Sequence, residues 1–209
     1  RYAAAGVDYR KIEPFKQAMQ QVQWRTLEFP YRRGVLASGD GSIKYLHPDQ
    51  PHRWRLVTEG LGNKNWIAEW MYQRTGQSHH FAGIGVDTAM MAVVDLLRYG
   101  ALPVAYTDEV AAGDSDWFAD EIRGRAIAES FFEACRISGM ALLGGESSSL
   151  SHLVRAEPPV KSAPVFSGCA LGIIAPADQE ITGRELRPGM RIIGARSSGL
   201  HANGISLVI

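Results

Sequence analysis

The chain has 209 residues, of which 45% are hydrophobic and 21% charged, a composition typical of a globular protein rather than a disordered or fibrous one. Lysine plus arginine and aspartate plus glutamate each number 22, so the net charge is zero, which argues against a nucleic-acid-binding surface and an acidic tail. At about 100–200 residues per domain, the length allows one domain and part of a second.

The first part of the chain predicts a helix, a hairpin, a further strand and a second helix. Apolar side chains have helical spacing in residues 14–27, and Asp40-Gly41 between two apolar runs is typical of a β-hairpin. A loop with two glycines then opens a helix that contains Trp66 and Trp70 and breaks at residues 76–80. The predicted strands of this part are residues 34–38, 43–46 and 54–58.

The second part mixes strands and helices. Residues 88–99 are apolar almost all round, which indicates a buried helix, and Ser115 is a candidate N-cap for an amphipathic helix that reaches about residue 138. Residues 147–164 read as a polar loop of the kind that often covers a site, and residues 197–206 as a turn. The predicted strands are residues 81–86, 102–107, 141–143, 165–175 and 190–195. The element order predicts a mixed α/β fold, with helices packed on a mixed sheet and a domain boundary within residues 176–188.

The cysteines and the chain ends bear on the cellular compartment. Cys135 and Cys169 are too few for a disulfide framework and lie in no CxxC motif, so we expect reduced thiols and a cytoplasmic protein. No apolar run reaches the roughly 20 residues of a membrane span, and the first residues lack the apolar stretch of a signal peptide. Residues 204–209 look like the opening of a helix or strand and have no polar tail, whereas natural C-termini are usually polar, so we expect a truncated chain.

Acidic side chains recur where ligands of α/β proteins gather. Asp87 and Asp95 bracket an apolar run, and a spacing of eight residues puts them on one broad helix face. Glu59, Asp108 and Glu146 each stand at the end of a predicted strand. Carboxylates in these places suit a hard cation such as Mg²⁺. The alternative is that Asp87 caps the helix, Asp95 forms a salt bridge and the others are solvated turn residues.

A glycine turn follows Glu59. Gly60, Gly62 and Lys64 combine exposed main-chain N–H groups, a helix N-terminus and an ammonium, which are the parts of a phosphate site. The pattern is neither a P-loop nor GxGxxG, so it is weak evidence by itself. The neighbouring His79-His80 pair is more typical of a polar loop than of a metal site, because no third ligand accompanies it locally.

Five segments, in order and at matching spacing, resemble the aminoimidazole ribonucleotide (AIR) synthetase family, the phosphoribosylformylglycinamidine cyclo-ligases of purine synthesis. They are residues 2–8 (YAAAGVD), 58–64 (TEGLGNK), 84–103 (IGVD to GALP), 138–147 (SG to GGES) and 197–207 (SSGLHANGISL). Single motifs are shared with related ATP-using enzymes such as selenophosphate synthetase and thiamine-monophosphate kinase. The first and last segments together point to the cyclo-ligases.

The resemblance implies an architecture and a set of ligands. Residues 1–176 would form an AIR-synthetase-like, ATP-binding N-terminal domain, and residues 177–209 a linker and the start of a second α/β domain. The implied cofactors are ATP and Mg²⁺, and the implied partners are a small ribonucleotide substrate and a second copy of the chain, paired through the N-terminal sheet. Nucleic acid and membrane are not expected as partners.

The resemblance also implies a reaction and its residues. The amide oxygen of formylglycinamidine ribonucleotide would be phosphorylated by ATP, and the amine nitrogen would then attack that carbon, closing the imidazole ring and expelling phosphate. Lys64 and His201 are the implied catalytic residues. The implied metal ligands are Glu59, Asp87, Asp95 and Glu146; the ATP contacts are Gly60, Gly62, Lys64, Asp108, Gly144 and Gly145; the substrate contacts are Ser198, His201, Asn203 and Ser206.

Five positions depart from the family pattern and keep other functions open. Ala3 and Ala4 replace a lysine and an aspartate, and Glu59 replaces an aspartate. Val94 stands in place of an asparagine, and Ser149 in place of a second glutamate. The alternatives are another ATP-using member of the same superfamily that acts on a different amide or acid, and a non-catalytic nucleotide-binding paralogue.

Overall fold

The computed structural model describes residues 6–209, and in that part of the chain it has four α-helices and six strands. The helices are α1 (Tyr9–Thr26), α2 (Lys64–Thr75), α3 (Ile84–Leu97) and α4 (Glu121–Ser138). The strands are β1 (Val35–Ala37), β2 (Ile43–Tyr45), β3 (Arg53–Gly60), β4 (Leu102–Ala112), β5 (Ala141–Ser149) and β6 (Val165–Ile174). The predicted mixed α/β class is confirmed. The departures at Ala3 and Ala4 lie outside the described residues.

The central element is a four-stranded mixed sheet in the order β3-β6-β4-β5. β4 and β5 are parallel and are connected through α4, whereas the other two pairs are antiparallel. Because side chains alternate along a strand, one face of this sheet packs against α1, α3 and α4 and the other is left open. The predicted hairpin is confirmed as β1 and β2, which cover one end of the open face through contacts with Val104 and Ile173.

α3 is the most apolar helix and lies at the centre of the core, against β3, β6 and α4. The segment Ser78–Leu97 is long and apolar enough to cross a membrane by length and composition alone, which qualifies the expectation that no run approaches that length. Its packing is that of a core helix, since Ala89, Ala92 and Leu96 are almost fully buried against the rest of the fold. We therefore assign it to the core.

Two predictions near α3 and α4 are wrong, one for a strand and one for a helix cap. Residues 81–86 are not a strand, because Ser78–Phe81 forms a 3-10 turn and α3 begins at Ile84. A short apolar run has no period that separates strand from helix, and burial of both Phe81 and Ile84 decided the outcome. Ser115 does not cap α4. Asp114 caps a short 3-10 helix, and Asp120 caps α4 by accepting a 3.0 Å hydrogen bond from the Arg123 amide.

Two other strand boundaries differ from the prediction. β5 does not stop at residue 143 but continues through Gly144 and Gly145 to Ser149, beside β4. Residues 190–195 lie in no strand or helix, and Ile192 is fully exposed at 100%. A strand requires a hydrogen-bonded neighbour, and within residues 6–209 none lies beside that segment. The domain division at residue 176 stays a prediction.

The contact between α3 and α4 gives a test of the packing. A Cβ added at Gly85 would lie 2.5 Å from the main-chain nitrogen of Phe131 in α4. Since main chain cannot turn aside as a side chain can, we expect Gly85→Ala to lower the free energy of unfolding by about 1–3 kcal/mol in urea denaturation. The control is Gly194→Ala, whose methyl meets no atom within 4 Å, with an expected change below about 0.5 kcal/mol. Equal stability of the two variants would contradict this packing.

Candidate functional site

The end of β3 carries the first group of predicted site residues. Glu59 is half-buried on the face of β3 that packs against the helices. The chain then turns at Gly60–Gly62, where Leu61 is buried and Gly62 has a φ of 72°, a left-handed conformation that favours glycine. α2 begins directly afterwards at Lys64. The turn therefore brings the Lys64 ammonium back towards the end of the sheet.

Lys64 connects three separate segments of the chain. Its Nζ donates to the Asp87 carboxylate, in the first turn of α3, and to the main-chain carbonyl of His201 at 2.8 Å. Asp87 is not the N-cap of α3, since that position is Gly83. The N-cap alternative for Asp87 is therefore wrong, and the partner of its carboxylate is the Lys64 ammonium.

An acid-lined cavity of about 750 Å³ lies beside this pair. It contains three of the four predicted metal ligands. The residues that line it are Glu59, Val86, Asp87, Met90, Met91, Val94, Asp95 and residues 199–203. Its wall is thus apolar at the two methionines and at Val94, and carboxylates stand at three points around it.

Residues 198–206, here called the C-terminal strap, lie over the acid-lined cavity and carry all four predicted substrate contacts. His201 and Asn203 line the cavity, and Asn203 Nδ2 contacts the Met91 sulfur at 3.6 Å. Ser198 Oγ lies 2.8 Å from His201 Nε2. Ser206 Oγ accepts a 3.0 Å hydrogen bond from Asn63 Nδ2. The strap is therefore joined to both α2 and α3.

Asp108, Gly144 and Gly145 form a second group. In the sheet register Asp108 pairs with Gly168 of β6 and with Gly145 of β5, and Glu59 pairs with the other side of Gly168. Glu59 and Asp108 thus share one row, two strands apart. A Cβ at Gly145 would lie 2.2 Å from Asp108 Oδ1, so the close approach requires glycine. The group lines a separate cavity of about 380 Å³ beside α1.

Among residues 6–209, no charged partner compensates the buried Asp108 carboxyl for the loss of water. Burial raises the pKa of its carboxyl to about 7, and the nearby Glu146 adds to the increase. The carboxyl is therefore partly protonated at neutral pH and able to donate as well as accept a hydrogen bond.

Glu146 does not join the other predicted metal ligands. The register pairs it with Glu109, one residue beyond the Asp108–Gly145 pair, so both glutamates point to the opposite face of the sheet. Both are exposed. Among residues 6–209 no three His, Cys, Asp or Glu side chains are close enough to bind one metal ion.

The donor set still suits one kind of magnesium site. Mg²⁺ is commonly held by one or two carboxylates together with the phosphates of a nucleotide. Glu59, Asp87 and Asp95 supply such oxygens around one cavity. These carboxylates fit a Mg²⁺ ion that arrives with phosphates rather than an ion held by protein ligands alone.

A buried ion pair that sequence reasoning missed holds α2 in place. Glu69 accepts hydrogen bonds from Trp117 Nε1 at 2.7 Å and from Arg123 Nη1 at 3.1 Å. Burial raises the pKa of Glu69 to about 7, although Arg123 opposes the increase. The sequence contains a signal for this ion pair, because Glu69 is an acid among the apolar positions of a predicted helix. It fixes the helix whose first residue is Lys64.

Sequence reasoning also missed a third cavity, here called the Trp66 cavity, of about 500 Å³. Gly60 and Gly62 line this cavity and not the acid-lined one. Asn63, Asn65 and Trp66 at the start of α2 form one wall, and residues 153–157, residues 163–166 and Ile209 form the others. The glycine turn therefore lies at the boundary of two cavities.

Comparison with known proteins identifies the relatives of the chain. The family described as AIR synthase related protein, N-terminal domain, matches residues 35–174. The phosphoribosylformylglycinamidine cyclo-ligase of Thermococcus kodakarensis is 34% identical over 99% of this chain and 56% of its own length, and that of Pyrococcus furiosus is 32% identical over the same shares. The chain spans about half the length of these relatives. The solved structure of thiamine-monophosphate kinase from Stenotrophomonas maltophilia K279a has a TM-score of 0.49 at 21% identity, covering 74% of this chain and 40% of that one.

The burial of Asp108 predicts that the free energy of unfolding depends on pH. The pKa of Asp108 is about 7 in the folded state and 3.8 in the unfolded state. The contribution of this carboxyl to the free energy of unfolding is therefore fully present near pH 4 and is lost as the pH rises through 7. We expect Asp108→Asn, which cannot ionise, to gain roughly 2–4 kcal/mol relative to wild type between pH 4 and pH 8 in urea denaturation. Asp178→Asn, at an exposed position, is the control and should show a constant difference. A constant difference for Asp108→Asn would show that this carboxyl is solvated.

Proposed function

This chain belongs to the family of AIR synthase related proteins, and from that premise we propose that the protein catalyses ATP-dependent closure of an imidazole ring in purine biosynthesis. The relatives named phosphoribosylformylglycinamidine cyclo-ligase, at 34% and 32% identity, support this choice of reaction. The single observation that carries it is the Lys64–Asp87 pair, which lies beside a carboxylate-lined cavity and under the C-terminal strap.

In the proposed reaction the amide oxygen of formylglycinamidine ribonucleotide accepts the terminal phosphoryl group of ATP. The amine nitrogen then bonds to the same carbon, the carbon–oxygen bond breaks, and phosphate leaves as the ring closes. Phosphorylation is needed because an amide oxygen is a poor leaving group. Mg²⁺, bound by the phosphates of the nucleotide together with one or two of the carboxylates of Glu59, Asp87 and Asp95, would neutralise charge on those phosphates.

The residues of the chain take distinct roles in this proposal. Lys64 would exchange its contacts with Asp87 and the strap for phosphate oxygens and stabilise the charge of the transferred group. His201, 2.8 Å from the Ser198 hydroxyl, would take the proton that the attacking nitrogen loses. Asn203 and Ser206 would orient the ribonucleotide, and the remaining ATP contacts would come from Gly60, Gly62, Asp108, Gly144 and Gly145.

One observation favours a second candidate function. Val94 lines the acid-lined cavity and is exposed, where the resembled family has a polar asparagine. An apolar side chain there changes the groups that a bound ligand meets, which suits a superfamily member acting on a different amide or acid. A paralogue that binds nucleotide without turnover is the remaining alternative.

We place the protein in the cytoplasm, in keeping with free thiols at Cys135 and Cys169.

Release of ADP by the full-length protein distinguishes these functions. With Mg²⁺ and ATP, we expect ADP release that depends on formylglycinamidine ribonucleotide. Release without that dependence would favour another acceptor, and nucleotide binding with no release would favour the non-catalytic paralogue.

Substitution of Lys64 tests its role in phosphoryl transfer. We expect Lys64→Met, which keeps length and removes charge, to lower kcat for ADP release by at least about 100-fold, because the transferred group loses a cation. Lys161→Met is the matched control, since Lys161 is exposed and lies outside the acid-lined cavity. Similar rates for the two variants would remove Lys64 from the mechanism.

We also propose that the protein is a homodimer paired through the open face of the sheet. Part of this face is covered by the β1–β2 hairpin, and the rest exposes apolar side chains. Leu56 is 67% exposed there, and its cross-strand neighbour Leu171 is half-buried. An exposed apolar sheet surface of this kind is typical of a protein–protein interface. In a dimer with a two-fold axis, this surface of one protomer packs against the same surface of its partner.

Leu56→Arg tests the dimer. A two-fold interface would bring two unpaired guanidinium groups into an apolar contact, so we expect a shift from dimer to monomer in sedimentation equilibrium. Ile122→Arg is the control, because Ile122 is 65% exposed but lies on α4, away from the open face. A wild-type monomer, or a dimer that both variants retain, would contradict pairing through this face.

A further inference from the structure

The C-terminal strap is attached to the rest of the chain by few contacts. Ile205 is buried, and Ala202 is half-buried and packs against the core. The other residues of the strap are exposed. Among residues 6–209 no main-chain hydrogen bond joins the strap to another segment. A segment with so little buried surface opens locally at a small cost in free energy.

The strap side chains that would contact the substrate already have partners within the protein. Ser206 Oγ accepts a hydrogen bond from Asn63 Nδ2 at 3.0 Å, and Asn203 Nδ2 contacts the Met91 sulfur at 3.6 Å. The Nε2 of His201 contacts a serine hydroxyl of the strap itself at 2.8 Å. In this arrangement these groups are not free to bind a ribonucleotide.

Two of the contacts that hold the strap come from the first residues of α2. Asn63 is the N-cap of α2, yet its side chain makes no capping hydrogen bond and donates to Ser206 instead. Lys64, the next residue, donates to the main-chain carbonyl of His201 at 2.8 Å. A helix N-terminus and an ammonium are the groups that would bind phosphate in the proposed function. The strap is therefore attached to the predicted phosphate site.

A phosphate would compete with the strap for Lys64. The ammonium has three N–H donors, of which the Asp87 carboxylate and the His201 carbonyl take two. A hydrogen bond from an ammonium to a charged phosphate oxygen is stronger than one to a neutral carbonyl. Phosphate oxygens beside Lys64 would also face the negative end of the His201 carbonyl dipole, which is repulsive. Both effects favour release of the carbonyl.

We propose that the strap is a lid that a nucleotide phosphate opens: phosphate at Lys64 displaces the His201 carbonyl, and the strap detaches from α2 and frees its side chains for the ribonucleotide. The inference rests on the proposed function and adds an order of binding, with the nucleotide first and the ribonucleotide second. Because the closed strap and a bound phosphate compete for Lys64, a change that weakens the closed strap strengthens nucleotide binding.

Distances between spin labels on the full-length protein test the opening. The labels are placed on cysteines introduced at Leu207, beside the strap, and at Ile122 on α4, both of which are exposed, in a background without other reactive thiols. The probe is the non-hydrolysable β,γ-methylene analogue of ATP with Mg²⁺. At saturating analogue we expect the closed-strap distance to lose at least about half of its population to longer distances. An unchanged distance distribution with the analogue bound would overturn the inference and leave the proposed function intact.

Ser206→Ala tests the competition in the unlabelled full-length protein. The variant removes the acceptor for Asn63 and leaves Lys64 in place, so we expect it to bind the same analogue about two- to fivefold more tightly than wild type in titration calorimetry. Ser197→Ala is the matched control and should bind as wild type does, since among residues 6–209 the Ser197 hydroxyl contacts only Gly199.

Equal or weaker binding of the analogue by Ser206→Ala would overturn the inference, because a strap that does not compete with phosphate gives no gain when it is loosened. A wild type that does not bind the analogue would overturn the proposed function and this inference together. The labelled protein retains Ser206, so the first test does not depend on the folding of the Ser206→Ala variant.

Discussion

The half-buried ammonium of Lys64 is the contact on which the site depends. A cation withdrawn from water needs partners, and Lys64 has two, the Asp87 carboxylate and the His201 carbonyl. These partners belong to α3 and to the C-terminal strap, so one side chain holds together segments far apart in sequence. Its own position depends on α2, which the Glu69–Arg123 pair anchors to α4.

The register of the central sheet sets a second constraint. Glycines stand beside Asp108 on both neighbouring strands, at Gly168 and Gly145, and any larger side chain would collide with Tyr106 or with Asp108 itself. The space that they leave admits the Asp108 carboxyl, which has no charged partner among residues 6–209, to the inside of the fold beside a cavity. The cost of that burial appears as the raised pKa of Asp108.

Local patterns predicted the elements whose signals are local. The hairpin at Asp40-Gly41 and the strand predicted at residues 54–58, observed as β3 (Arg53–Gly60), both formed, because turn residues and alternation act over a few positions. Residues 81–86 became part of a helical region because burial on the sheet outweighed an ambiguous apolar run. The start of α4 moved because residues 115–119 form a separate 3-10 helix capped by Asp114, which leaves Asp120 as the cap of α4.

The sequence by itself determined the family, the α/β class and the side chains around the glycine turn that could bind ligands or take part in a reaction. These follow from residue types and spacing. Only the tertiary structure decided which of them meet. An irregularity in the pairing of β4 with β5 skips Leu143, which pairs Glu146 with Glu109 and turns it away from Glu59 and Asp87. The same holds for Asn65, whose buried Nδ2 donates to the carbonyl of Pro164, a residue far away in the sequence. Cross-strand register and burial depend on contacts between distant residues, which no local pattern in the chain encodes.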